Sequence, residues 1–379
     1  MYDSSLPAIV VGLLVGFAVI YFVFWRCMRK TESPSSKRGS RLSPWPANST
    51  LSFRLKKLLG ESAVNGTFGS MAMADLQRKP ELSADSLDGK GREYVSAPNM
   101  KNSCLTYPDT KYVKDLSNPI YRAISRKNGE INRMSKEEMI DTLAKLNLNT
   151  RGIGEILRAR LKTYYKNLLM SEAGLETPST QRNFDYLCVI DFEATCEEPT
   201  PIDYIQEIIE YPIVLVNTKT MKIEDSFNSF IKPLLHPTLS KFCKELTSIT
   251  QVEVDQADTF PLVLNGVHRW MKSKALGTEH SFIIVTDGPW DMNMYLNVQC
   301  KLSQVPYPAY ARQWINLCKT FSNFYKTKRM CLRNMLGALE MGFDGRPHRG
   351  IDDAINIANI AIQLMQDGCE LEVNDRLTQ

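Results

Sequence analysis

Tyr186-Leu187-Cys188-Val189-Ile190-Asp191-Phe192-Glu193 is the stretch on which the reading of this chain turns. Its first five residues form a short apolar run, the pattern of a buried strand. In an extended chain, residues two apart point to one face. Asp191 and Glu193 therefore present two carboxylates side by side at the end of a strand. Such a pair repels unless a cation sits between them. Oxygen-only donors suit Mg²⁺, with Mn²⁺ as the alternative. Taken alone, Asp-x-Glu after a strand is weak, because most such pairs are simply polar strand ends.

Moving outward, residues Glu207 to Asn217 and Ile223 to Ile231 read as two further strands joined by a turn near Lys219. Phe260 to Lys274 has the spacing of an amphipathic helix, and Phe282-Ile283-Ile284-Val285 that of another buried strand. The segment Thr286-Asp287-Gly288-Pro289-Trp290-Asp291-Met292 follows, with Asp291 opening a helix that runs to about Leu302. Asp287 is expected to order this loop. The last element is His348-Arg349-Gly350-Ile351-Asp352-Asp353, succeeded by a helical pattern of Ile355, Ala358, Ile362 and Met365. His348 falls in the loop before that helix. Asp353 falls in its first turn, where the macrodipole favours an acid. Of the histidines His236, His268, His280 and His348, only the last has a carboxylate five residues on in a glycine-containing loop. Asp352 competes with Asp353 for that role, and the spacing favours Asp353.

Upstream lies a smaller helical stretch. Ser135-Lys136-Glu137-Glu138 has the form of a capping box, followed by Met139, Leu143 and Leu146 at helical spacing. Asn147 to Gly152 breaks the pattern. A second helix carries Leu157, Leu161, Tyr164 and Leu168 on one face and Arg158, Lys162 and Lys166 on another. With Arg151 and Arg160, residues 151–167 hold five basic side chains against one acid, Glu155. A basic face of this kind suits a phosphate backbone, with little reading of bases; an ordinary solvated helix face is the alternative. Met134 to Glu138 and Leu148-Asn149-Thr150-Arg151-Gly152 resemble a SAP domain, which implies nucleic-acid binding by residues 115–172.

The first 114 residues differ in character. Ala8 to Trp25 is an uninterrupted apolar run of 18 residues, followed by Arg26, Arg29 and Lys30. As a helix it nearly spans a bilayer, and the basic cluster after it predicts a cytosolic C-terminal side. Residues 1–30 are thus a membrane-anchor candidate. Met71-Ala72-Met73-Ala74-Asp75 offers an internal start whose product would lack it. Residues 31–114 read as a disordered basic and polar linker: Arg26 to Lys57 alone has nine basic residues against Glu32.

Composition sets broad limits. A hydrophobic fraction of 43% supports a packed core, and a net charge of +4 argues for no partner by itself. The nine cysteines form no Cys-x-x-Cys pair, which disfavours a zinc ribbon. They read as small core residues in a reducing compartment.

Asp-x-Glu, then Asp, then His-x-x-x-x-Asp, each at a strand end or helix start, is a specific combination although its parts are not. It resembles the DEDDh family of 3′→5′ exonucleases. Asp191 to Cys196, Thr286 to Met292 and Gly345 to His348 are similar to the histone-mRNA 3′-end exoribonuclease subfamily, which also carries an upstream SAP domain. The resemblance covers about two-thirds of the chain and not its first 110 residues. It implies an α/β fold with an RNase H-like mixed five-stranded sheet flanked by helices over residues 183–371. It implies two Mg²⁺ ions, with Asp191, Glu193, Asp291 and Asp353 as ligands. It gives His348 the role of general base and Glu193 a place in catalysis. It places Glu193, Ala194, Met292 and His348 at the terminal nucleotide, with Trp290, Phe242 and Leu246 against its base. The implied substrates are structured RNA 3′ ends such as the histone-mRNA stem-loop, 5.8S rRNA or small interfering RNA. A stem-loop-binding protein and the ribosome are the implied partners, and cytoplasm with nucleus or nucleolus the implied location. The residues themselves leave open a DNA-directed exonuclease and a non-catalytic RNA-binding scaffold.

Overall fold

The computed structural model describes residues 119–175 and 183–377. The apolar run at 8–25 and the linker expected over 31–114 lie outside them. Among the described residues no helix is long and apolar enough to cross a membrane.

Three helices come first: α1 (Pro119–Arg133), α2 (Lys136–Lys145) and α3 (Gly154–Glu172). The capping box is present as read. The Ser135 hydroxyl accepts the Glu138 amide at 3.1 Å, and the Ser135 amide donates to the Glu138 carboxylate at 2.7 Å. Ile131, Met139, Leu143, Leu157 and Leu161 form a small core between the helices. Leu168, expected on the packed face of α3, is exposed instead. Helix α1 was not read from the sequence, although its apolar residues recur at helical spacing.

The rest is a mixed α/β sheet flanked by helices, in agreement with the RNase H-like expectation. Its strands are β1 (Tyr186–Val189), β2 (Glu193–Ala194), β3 (Ile208–Asn217), β4 (Lys222–Phe230), β5 (Phe282–Thr286), β6 (Gln313–Asn316) and β7 (Asp375–Arg376). β1 runs antiparallel to β3 and parallel to β5, and β5 runs parallel to β6. β4 covers β3 along its length, so β1 and β2 share β3's other edge as two pieces of one interrupted line. Five strands carry the sheet as expected; β2 and β7 are two-residue additions. Strands flanked on both sides and covered on both faces are buried throughout and almost wholly apolar, as in β5. β4 lies at an edge, and its residues are exposed or half-buried.

Side-chain alternation sorts the sheet into two cores. Leu187, Val189, Val214, Val216, Ile283 and Val285 pack on the face covered by α8 (Leu317–Tyr325), α9 (Leu332–Leu339) and α10 (Gly350–Gln366). Cys188, Ile190, Phe192, Ile213, Leu215 and Ile284 pack on the face covered by α6 (Phe260–Ser273). Two short helices, α4 (Lys241–Thr247) and α5 (Gln251–Asp255), precede α6, and α7 (Asn297–Leu302) follows β5. All seven described cysteines are free, and Cys188, Cys243, Cys300 and Cys369 are buried, as small core residues would be.

One expected site residue is corrected here. Arg160, read as an RNA contact, is only 3% exposed. Its guanidinium forms a two-pronged pair with Asp367 at 2.7 and 2.8 Å and donates to the carbonyls of Asn149 and Arg151. Asp367 also accepts the Tyr325 hydroxyl and the Gln363 amide, each at 2.8 Å. Arg160 therefore fastens the helical module to the end of α10, with four of its five N–H donors engaged within the protein and its guanidinium out of reach of a surface phosphate.

Candidate active site

Asp191 follows the same alternation as Leu187 and Val189, which directs it toward the α10 face. Phe192 points the other way, edge-on to Tyr211 with ring centroids 4.6 Å apart. Asp353 sits in the first turn of α10, and one oxygen each of Asp191, Glu193 and Asp353 lie within 4.8 Å of one another. Asp291 joins from the end of β5: its Oδ1 accepts the Phe192 amide at 2.9 Å. Four carboxylates, that of Asp191 among them, thus converge from three stretches of the chain.

The segment that delivers Asp291 is not the α-helix expected. Asp291–Leu296 is a π-helical turn, continued as α7. Such turns are uncommon and frequent at functional sites. The competition at the last motif resolves in favour of Asp353. Asp352 turns back to accept the Arg346 amide at 2.8 Å, whereas Asp353 Oδ2 is buried with no hydrogen-bond partner. Asp287 behaves as expected of a loop anchor: it accepts the Cys318 thiol at 3.2 Å and the Leu332 amide.

The electrostatics are those of an overcrowded acidic pocket. Burial, then Asp291, Asp353 and Glu193, hold the Asp191 carboxyl well above the usual range. Glu193 is raised by burial, Asp353 and Glu210. Burial pushes Asp291 and Asp353 up to about 7 each, against the Phe192 amide on the first and the His348 amide on the second. An unpartnered buried carboxylate oxygen is costly, and clustered carboxylates cannot all ionise unless positive charge joins them. The donor set is all oxygen, so the residues present fit a hard divalent cation.

His348 lies in the turn before α10 with φ of 64°, a left-handed conformation that non-glycine residues seldom adopt. Burial lowers its pKa first, and the Arg333 and Arg346 charges lower it further. Its imidazole is held neutral near physiological pH.

The expected nucleotide contacts divide. Ala194 belongs to β2, and its carbonyl meets the Cys243 thiol of α4 at 3.8 Å, which sets α4 beside the acidic residues. Phe242 and Leu246 are four apart on α4, half-buried, and belong to none of the hydrophobic cores. Trp290 is half-buried too. Met292 has no exposed surface, and its side chain packs in the core with Ile190 and Phe192. On α3, Lys166 is exposed and Arg158 and Lys162 are half-buried, while Arg151 is exposed just before it. Burial, then the neighbouring Arg158 charge, lowers the Lys162 pKa.

Glu210 was missed. It stands opposite Glu193 across β2 and β3 and is fully buried. The signal was available: one acid among the apolar residues of a long buried strand.

An exonuclease family model matches residues 188–361. The 3′-5′ exoribonuclease 1 of Rattus norvegicus is 50% identical over 267 residues, which covers 69% of this chain and 76% of that protein. Among solved structures, a 3′-exonuclease that recognises the histone mRNA stem-loop 3′ end is 48% identical, with a TM-score of 0.52 over 70% of this chain and 91% of that one. The nuclease domain of 3′hExo, a DEDDh family member bound to rAMP, is 52% identical, with a TM-score of 0.51 over 52% of this chain and 98% of that one. The chain belongs to the DEDDh family of 3′→5′ exoribonucleases.

Proposed function

We propose that this chain shortens structured RNA from its 3′ end and releases 5′-monophosphates, using Mg²⁺ held by Asp191, Glu193, Asp291 and Asp353. The observation that carries the reading is that one carboxylate oxygen each of Asp191, Glu193 and Asp353 lie within 4.8 Å of one another, while Asp353 Oδ2 is buried without a hydrogen-bond partner. Divalent cations bound there would supply positive charge against the scissile phosphate and favour an ionised attacking water near neutral pH. His348 accepts the proton of that water on a free ring nitrogen; its lowered pKa keeps the imidazole neutral and ready to do so. Asp291, fixed by the Phe192 amide, would offer its remaining acceptor capacity to the site. Phe242 and Leu246, with Trp290 as a further apolar surface, hold the terminal base by stacking and packing, which is tolerant of sequence.

The helical module is our candidate for the duplex grip, in the manner of a SAP domain. Arg151, Arg158, Lys162 and Lys166 would face phosphates, and Arg160 would hold the module in place. Given the relative that recognises a histone mRNA stem-loop, the substrate class we assign is a stem-loop or duplex with a 3′ tail. Membrane attachment through residues 8–25 is a separate proposal, tested by fractionating cells that express the tagged full chain.

The enzymatic test uses purified protein, Mg²⁺ and 5′-labelled RNA carrying a 3′ overhang beside its DNA counterpart. Stepwise shortening of RNA, abolished by Asp191→Ala, is expected. Equal activity in that variant refutes the ligand assignment, and a clear preference for DNA refutes the substrate.

A further inference from the structure

Helix α10 carries Asp353, and its preceding turn carries His348, so the seat of this helix sets half of the site. That seat is unusually close. A Cβ on Gly350 would lie 2.7 Å from the Asp191 carbonyl oxygen and 3.2 Å from Pro212 Cγ. Only a glycine lets the helix start approach β1 and β3 to this distance. Pro212 lies where β3 has neither β1 nor β2 alongside, since β1 pairs from Val214 onward and β2 ends at Glu210. The helix start therefore enters at the gap in the sheet.

Glu210 holds it there. Its Oε2 accepts the Gly350 amide at 3.0 Å, and its Oε1 accepts the Asn228 side-chain amide at 2.9 Å. The Arg349 guanidinium lies 3.8 Å from the same Oε1, reaches Glu253 at 3.2 Å and rests on the Phe230 ring at 4.7 Å. The Arg349 carbonyl then accepts the Asp353 amide at 2.9 Å. One buried carboxylate is thus joined to the first amide of α10, to the side chain of Arg349 and, across the ladder, to the strand position of Glu193. Both oxygens are occupied by N–H donors, so Glu210 is not itself offered as a metal ligand.

We propose that Glu210 is a positioning residue of the nuclease site, which seats the start of α10 so that Asp353 and His348 meet Asp191 and Glu193. This rests on reading the acidic cluster as a metal site. A partner that orients metal ligands characteristically changes metal affinity by about 10- to 100-fold when removed. A merely structural residue would lower the folded fraction and leave the affinity of folded molecules unchanged.

The test measures Mn²⁺ affinity of the RNA-free full chain by calorimetry, alongside kcat and KM for RNA, in Glu210→Gln and Glu210→Ala. Gln has one acceptor oxygen and cannot serve Gly350, Asn228 and Arg349 together. Mn²⁺ binding should weaken severalfold in Gln and about tenfold or more in Ala, with kcat falling and KM within twofold. If Ala does not fold, the Gln variant decides. Wild-type Mn²⁺ affinity in folded Glu210→Gln overturns the proposal. Asp191→Ala separates the two readings. If it retains Mn²⁺ and activity, the metal site itself is wrong; if it loses both while Glu210→Gln is unaffected, only the positioning role fails.

Discussion

Replacing Arg160 by Met removes a buried cation and leaves its partner behind. Arg160 and the Asp367 side chain are each 3% exposed, and two guanidinium nitrogens meet the carboxylate at 2.7 and 2.8 Å. In the variant, Asp367 keeps only the neutral Tyr325 and Gln363 donors, and the Asn149 and Arg151 carbonyls lose theirs. Breaking one side of a buried pair costs about 3–5 kcal/mol, because the remaining charge is stranded. For a domain of this size that is a fall in Tm of roughly 10 °C. Urea and thermal unfolding would measure it, with RNA affinity followed in parallel. Adding Asp367→Asn should recover much of the loss, since the stranded charge disappears while an acceptor for Tyr325 remains. If Arg160→Met keeps its stability but loses RNA affinity with a shallower salt dependence, the residue is a phosphate contact and the structural reasoning fails.

The acidic pocket makes the metal-free protein sensitive to pH. Asp291 and Asp353 sit at about 7 in the fold, above their unfolded value of about 4. Their contribution to stability is therefore full below about pH 4 and lost as pH rises through about 7. Asp353→Asn should stabilise metal-free protein at pH 8 by a few kcal/mol, estimated at about 1.4 per pKa unit, and have little effect near pH 4; a variant less stable at both values contradicts this. Mn²⁺ should raise Tm more at pH 8 than at pH 5, because binding needs the ionised carboxylates. Lys162→Ala with Lys166→Ala should weaken RNA binding and flatten its logarithmic salt slope by about 1–2; an unchanged slope would leave α3 as a solvated face. Phe242→Ala should cost about 1–3 kcal/mol in kcat/KM through lost contact with the base, with a smaller loss of folding stability. A large stability loss with unaltered kinetics would make Phe242 a packing residue.

The convergence of Asp191, Glu193, Asp291 and Asp353 was legible because each acid closes an apolar strand or opens a helix, places where periodicity changes in the sequence. His348 was legible through its spacing from Asp353. What escaped were features created by contact between distant segments. Arg160 recurs among basic neighbours on α3, and nothing local distinguishes it; its burial depends on Asp367, some two hundred residues away. Met292 follows Asp291 directly, yet the π-helical turn carries its side chain into the core, and no residue pattern marks that turn. Glu210 did announce itself as a charge in a buried strand, but its partners Gly350 and Arg349 become visible only when α10 is seated. Helix α1 was legible too, since its apolar residues fall on one helical face, and it was overlooked; only Ile131 is deeply buried in the module's core.

Diffraction from crystals soaked in Mn²⁺, recorded at an energy where manganese scatters anomalously, locates the metal without reference to activity. An anomalous peak bonded to oxygens of Asp191, Glu193 and Asp353, with the solitary Asp353 Oδ2 among them, is the predicted result. Manganese found elsewhere, or those three carboxylates left bare at saturating Mn²⁺, would contradict it.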